Sequence, residues 1–151
     1  SFKMRVDLLK NTSVKSTKEI ISKIPINSLI AEFIMQNSSN CCVISSNLDV
    51  WIEGLIKKLG MQNNYFSSTA VVNNDRIVSI KKIVDKGAVV DFFTQPFIAI
   101  GDGFNDIPML KKADIGIAFG GVRKVSDCVE KAADYTINDE KQLCNFLKKF
   151  I

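Results

Sequence analysis

An α/β fold built on a doubly wound parallel sheet, in three α/β/α layers, is the class this sequence predicts, and three observations predict it. Short, continuously apolar runs at Cys41-Cys42-Val43-Ile44, at Phe97-Ile98-Ala99-Ile100 and over 115–118 have the length of strands buried on both faces. Stretches with a helical period lie between them, so strands and helices alternate. Polar turns follow two of the runs, Ser45-Ser46-Asn47 and the segment 101–106, where open α/β sheets bind ligands at their carboxyl edge.

Taken in order, residues 2–10 carry apolar side chains at 2, 6 and 9, with Met4 and Leu8 alongside, a short amphipathic helix that Asn11-Thr12-Ser13 stops. Ser16-Thr17-Lys18-Glu19 has capping-box spacing ahead of Ile20, Ile21 and Ile24, which predicts a second helix ended by Pro25. A helical period covers 26–36, and the polar cluster 37–40 closes it. After the strand at 41–44 and its turn, Leu48, Trp51, Ile52, Leu55, Ile56 and Leu59 form a strong amphipathic stripe that Gly60 terminates. Tyr65-Phe66 reads as a strand, and 70–78 as a hairpin with its tip at Asn73-Asn74-Asp75. A short helix over 88–93 leads to the strand at 97–100. Beyond the next turn the pattern gives a helix through Leu110, a strand at 115–118, a Gly120-Gly121 turn, a helix near 125–133, a strand at 135–137 and a last helix over 140–150.

Composition excludes whole classes of chemistry. The 151 residues fit one domain with a sizeable core, and 46% hydrophobic with 24% charged residues is ordinary for a globular protein. No apolar run approaches the ~20 residues of a membrane span and no signal-peptide pattern opens the chain, so the cytoplasm is expected and a membrane is not. Net charge is +4 with the lysines scattered, which suits an anionic substrate but not a nucleic acid. The cysteines 41, 42, 128 and 144 lack metal-ligand spacing and read as reduced thiols. With no histidine in the chain, Ser-His and Cys-His nucleophile systems and His-ligated zinc are excluded.

The chemistry concentrates in Gly101-Asp102-Gly103-Phe104-Asn105-Asp106. Gly101 and Gly103 allow a sharp turn, Asp102 and Asp106 stand four apart, and Asn105 can orient them. Two carboxylates on such a turn suit Mg²⁺, which takes one or two of them and fills the rest of its shell with water and phosphate oxygens. A turn with an Asx cap opening a helix is the alternative reading of the same spacing.

Together with Val43-Ile44-Ser45-Ser46-Asn47 and Lys86-Gly87, in that order along the chain, this turn resembles the haloacid dehalogenase superfamily of phosphotransferases. Within it, the chain is most similar to the phosphoserine phosphatases, whose short cap segment Phe2, Arg5, Val6, Leu8, Leu9 and Lys10 resemble. The resemblance implies one domain, with residues about 1–25 a remnant of a helical cap and 26–151 the core. It implies Mg²⁺-dependent hydrolysis of a small phosphate monoester through an aspartyl-phosphate. Ser45 would hydrogen-bond the phosphoryl group with the Ser46 N–H, and Lys86 would neutralise its oxygens. Asp102 and Asp106 would serve the metal, with Asn47, Asn105 and Arg5 toward the substrate. Ser46 and Asn47 stand where phosphoserine phosphatases usually have a glycine pair, so phosphoserine itself is not assigned.

The resemblance also exposes a departure. An Asp-x-Asp pair ending an amino-terminal strand, the first motif, has no counterpart, since Asp7-Leu8-Leu9-Lys10 offers no second carboxylate. The expectation is that an upstream part of the protein carries it. The alternatives are a catalytically inactive phosphate- or Mg²⁺-binding or interaction module, and a sheet completed by another molecule. The segment 101–120 is also similar to the phosphorylation domain of P-type ATPases.

Overall fold

The computed structural model describes Met4 and residues 11–151. The expected helix over 2–10, Met4 apart, and with it Phe2, Arg5 and Asp7, lies outside the described residues. Two compact units divide the chain: Ser1–Ile26 with Ile34–Val84, and Asn27–Phe33 with Asp85–Ile151.

In the first unit, β1 (Val43–Leu48) runs parallel to β2 (Tyr65–Asn73), and β2 pairs antiparallel with β3 (Arg76–Lys82). The strands expected separately at 65–66 and 70–72 are one continuous β2. Asn74 and Asp75 make the hairpin loop with φ of 48° and 62°, the left-handed conformation that a two-residue loop needs to match strand twist. Helix α1 (Val14–Ser22) begins two residues before the capping box expected at Ser16. Ser13 caps it instead, accepting the Ser16 N–H at 3.0 Å, because the hairpin tip holds that end: the Val14 N–H donates to the Asp75 carbonyl at 2.8 Å and the Lys15 N–H to its carboxylate at 2.9 Å. Helix α2 (Ser28–Gln36) belongs to the second unit through Phe33 and to the first from Ile34, and α3 (Asp49–Lys58) directly continues β1. Of the stripe that the sequence presents, Leu48, Trp51, Ile52, Ile56 and Leu59 are buried and Leu55 is half-buried, with Met61 buried beyond the helix end. Helix α1 packs on α3, with Lys18 bonded to Glu53 at 2.6 Å across the exposed side.

In the second unit, β4 (Ile98–Gly101), β5 (Ile115–Phe119) and β6 (Tyr135–Ile137) pair in parallel in that order. The intervening helices are α5 (Ile107–Lys112) and α6 (Asp127–Glu130), with α4 (Lys86–Val90) before the sheet and α7 (Glu140–Leu147) after it. The helix expected at 88–93 starts two residues earlier because the Asp85 carboxylate accepts the Ala88 N–H at 3.1 Å. Helix α6 is far shorter than the expected 125–133. Ala99, Met109, Leu110, Ile117, Ala118, Val129 and Leu143 are buried, so β5 is covered on both faces as its unbroken apolar run requires.

The α/β class and the parallel pairing are thus present, with the β2–β3 hairpin as the antiparallel addition. Among the described residues, β1 and β4 are each paired on one side only.

Candidate active site

Asp106 organises the second unit's polar turn. A single 3₁₀ turn, Phe104–Asp106, follows β4, and the Asp106 carboxylate folds back beneath it. One oxygen, Oδ2, accepts the backbone N–H groups of Asp102 at 3.0 Å and Gly103 at 2.9 Å. The other, Oδ1, receives the Lys86 ammonium at 2.6 Å. Asp106 is only 5% exposed, and a buried carboxylate is tolerable only when paired and hydrogen-bonded in this way. Close approach requires Gly101: a Cβ there would stand 2.4 Å from the Asp106 Cβ. The glycine-rich turn is therefore shaped around a carboxylate of its own.

Lys86 opens α4, so its ammonium position depends on how that helix is fixed. Lys112, at the end of α5, donates to the Gly87 carbonyl at 3.0 Å and to both oxygens of Asp91 at 2.7 and 2.8 Å. It pins α4 at both ends. Asp102, in contrast, turns outward and is half exposed, and its Oδ2 accepts the Arg123 Nε–H at 2.8 Å. The structure thus brings Lys86, Asp102 and Asp106 together, with Asn105 exposed in the same turn.

Ser45, Ser46 and Asn47 belong to the other unit. The expected turn beyond the strand is instead a bulge inside β1: Ser45 pairs with Ser67 and Leu48 with Ser68, leaving Ser46 and Asn47 between them unpaired. The Ser45 hydroxyl accepts the Asn47 N–H at 3.2 Å, closing a local turn. Ser68, fully buried, donates its hydroxyl to the Ser46 carbonyl at 3.0 Å and accepts the Val84 N–H at 3.1 Å.

The donor chemistry fits Mg²⁺ at Asp102. Its Oδ1 has no protein partner among the described residues, and a partly exposed hard oxygen suits an ion that keeps most of its waters. Both oxygens of Asp106 are already engaged. Among the described residues no group of three or more acidic, histidine or cysteine side chains is placed to hold a metal by itself.

Arg123 and Lys112 are absent from the sequence-derived set. Arg123 follows the Gly120-Gly121 turn at the carboxyl end of β5, and the rule that ligand groups gather at strand ends could have found it. Nothing in the sequence marks Lys112. The cysteines are free, and burial holds the thiols of Cys41 and Cys144 above their ordinary value, so neither is an activated nucleophile.

Residues 80–143 match the family of haloacid dehalogenase-like hydrolases. Over 167 aligned positions the chain is 25% identical to the phosphoserine phosphatase of Methanocaldococcus jannaschii, covering 98% of this chain and 76% of that protein. Over 92 positions it is 33% identical to the magnesium-transporting P-type ATPase 1 of Escherichia coli K12, covering 61% of this chain but 9% of that protein. Among solved structures, phosphoserine phosphatase from T. onnurineus superposes with a TM-score of 0.75 at 24% identity, covering 98% of this chain and 72% of that one. A phospho-aspartyl intermediate analogue of phosphoserine phosphatase superposes at 0.77 with 23% identity, covering 95% and 74%. These superpositions establish the likeness of fold.

Proposed function

We propose, for a chain that is haloacid dehalogenase-like over residues 80–143 and phosphoserine phosphatase-like in fold, a Mg²⁺-dependent phosphatase acting on a small phosphate monoester through an aspartyl-phosphate. The observation that carries it is the turn built on Asp106, which fixes the Lys86 ammonium and leaves the Asp102 carboxylate facing outward. Phosphoryl transfer needs positioning and charge stabilisation above all, and this cluster supplies a held cation beside a carboxylate suited to a metal.

The roles divide accordingly. Lys86 draws negative charge from phosphoryl oxygens, and Asp106 holds that lysine and the turn amides in place. Asp102 anchors Mg²⁺, which when bound neutralises the phosphate and polarises it toward attack. The roles of Ser45 and the Ser46 N–H as donors to the phosphoryl group, and of Asn47 and Asn105 as polar contacts for the substrate, come from the resemblance alone. Arg5 and the assignment of residues about 1–25 as a cap remnant rest on the resemblance alone. The attacking aspartate is supplied by a part of the protein outside residues 1–151, where no aspartate is followed two residues later by another.

That same sequence fact favours one second reading, a phosphate- or Mg²⁺-binding module without turnover. A transport-ATPase phosphorylation domain is the weaker alternative: that likeness covers 61% of this chain, against 98% for the phosphoserine phosphatase. The natural full-length protein, given para-nitrophenyl phosphate and Mg²⁺, is expected to release phosphate, with activity falling at least ~100-fold on Asp102→Asn or chelation. Turnover that survives chelation overturns the metal reading; binding of phosphate without turnover favours the module.

A further inference from the structure

We propose that Arg123 is the resident counter-cation of Asp102 and sets how tightly that carboxylate holds a divalent cation, an inference that rests on the metal reading above. Its Nε–H reaches the Asp102 Oδ2 at 2.8 Å, so the carboxylate already has a positive charge beside it. The guanidinium also lies over the turn: a Cβ built on Gly103 would stand 3.8 Å from its Nη2, which places the charge against the glycine next to Asp102.

The placement is built into the loop. Gly120 and Gly121 leave β5 in close packing, because a Cβ at Gly120 would meet the Asn138 Oδ1 at 2.1 Å and one at Gly121 the Phe119 ring at 2.3 Å, so a side chain at either would displace its neighbour. The Gly120 N–H is tied to the Ile137 carbonyl at 2.9 Å, and Val125 on the far side is buried. Between these anchors Val122 projects into solvent, 83% exposed, while Arg123 reaches the turn. The loop is held where its arginine meets the acidic turn.

A guanidinium and a divalent cation on one carboxylate repel each other, so a cation binds Asp102 only against this charge. Arg123 therefore weakens cation binding and keeps the carboxylate neutralised until a metal arrives. The strength of that opposition follows from a charge pair in a half-exposed site, where Coulomb interactions are screened but still felt.

The test is calorimetric titration of Mg²⁺ into the cation-free, full-length protein, its Arg123→Gln, Arg123→Lys and Asp102→Asn variants. Arg123→Gln is expected to bind Mg²⁺ about 3- to 10-fold more tightly than the parent, and the gap should narrow as ionic strength rises. Arg123→Lys, which keeps the charge, should stay within about 2-fold of the parent. Asp102→Asn should lose the binding. Equal or weaker binding by Arg123→Gln overturns the role of Arg123 while leaving the metal site standing. If neither the parent nor any variant binds Mg²⁺, the metal reading falls and this inference with it.

Discussion

The two polar stretches of this molecule are held in opposite ways. The turn at 101–106 is closed from within: Asp106, three and four residues away, satisfies the amides of Gly103 and Asp102, and Lys86 neutralises it. The bulge at Ser46-Asn47 is held from outside, by a buried hydroxyl on the neighbouring strand, with only the Ser45–Asn47 bond supplied locally. A motif that carries its own hydrogen-bond partners keeps its shape through short-range geometry. A motif that borrows them depends on strand register.

The difference can be broken most forcefully at Asp106. Asp106→Ala strands a buried ammonium and two turn amides, and urea unfolding should show a loss of about 3 kcal/mol or more, as for breaking a buried ion pair from one side. Gly101→Ala attacks the same turn sterically, since the new methyl would collide with Asp106; a loss of about 2 kcal/mol is expected in the same assay. On the bulge side, Ser68→Ala removes the donor to the Ser46 carbonyl and orphans the buried Val84 N–H. A cost of about 1–3 kcal/mol is expected, with hydrogen exchange accelerating at Val84. If Ser68→Ala proves more damaging than Asp106→Ala, the contrast between an internally and an externally held motif fails.

The smallest effect concerns acid. The Ser13 hydroxyl, then the Lys15 N–H, hold the Asp75 carboxyl below the usual range, so its folded value lies under its unfolded one. Its stabilisation is therefore fully present above about pH 4 and is lost as pH falls through the depressed folded value. Asp75→Asn, which tolerates the left-handed loop conformation, should flatten that acid limb in a pH series of melting curves while leaving the turn at 101–106 unaffected.

Much of the candidate site could be read from the chain. The apolar run before Gly101, the glycines and the two aspartates mark the second unit's turn, and Lys86 stands at the expected distance ahead of it. What spacing alone cannot show is the direction of each carboxylate. Asp102 and Asp106 look equivalent in sequence, yet one is buried as a structural hub and the other faces outward toward Arg123. Arg123 and Lys112 escaped notice because each acts on residues about twenty positions away, a separation that no local period encodes.

The sequence by itself determined the α/β alternation, the amphipathic stripe of α3, the hairpin tip and the glycine turn, because periodicity and backbone freedom are local properties. The tertiary structure alone decided where α1 begins, since Ser13 rather than Ser16 caps it once the hairpin's Asp75 takes hold of that end. It also decided that Ser46 and Asn47 form a bulge within β1, because bulging depends on which residue of β2 comes opposite. And it decided that one aspartate of the turn is buried against Lys86 while the other faces outward to Arg123, a choice made by long-range charge partners that only a folded chain brings within reach.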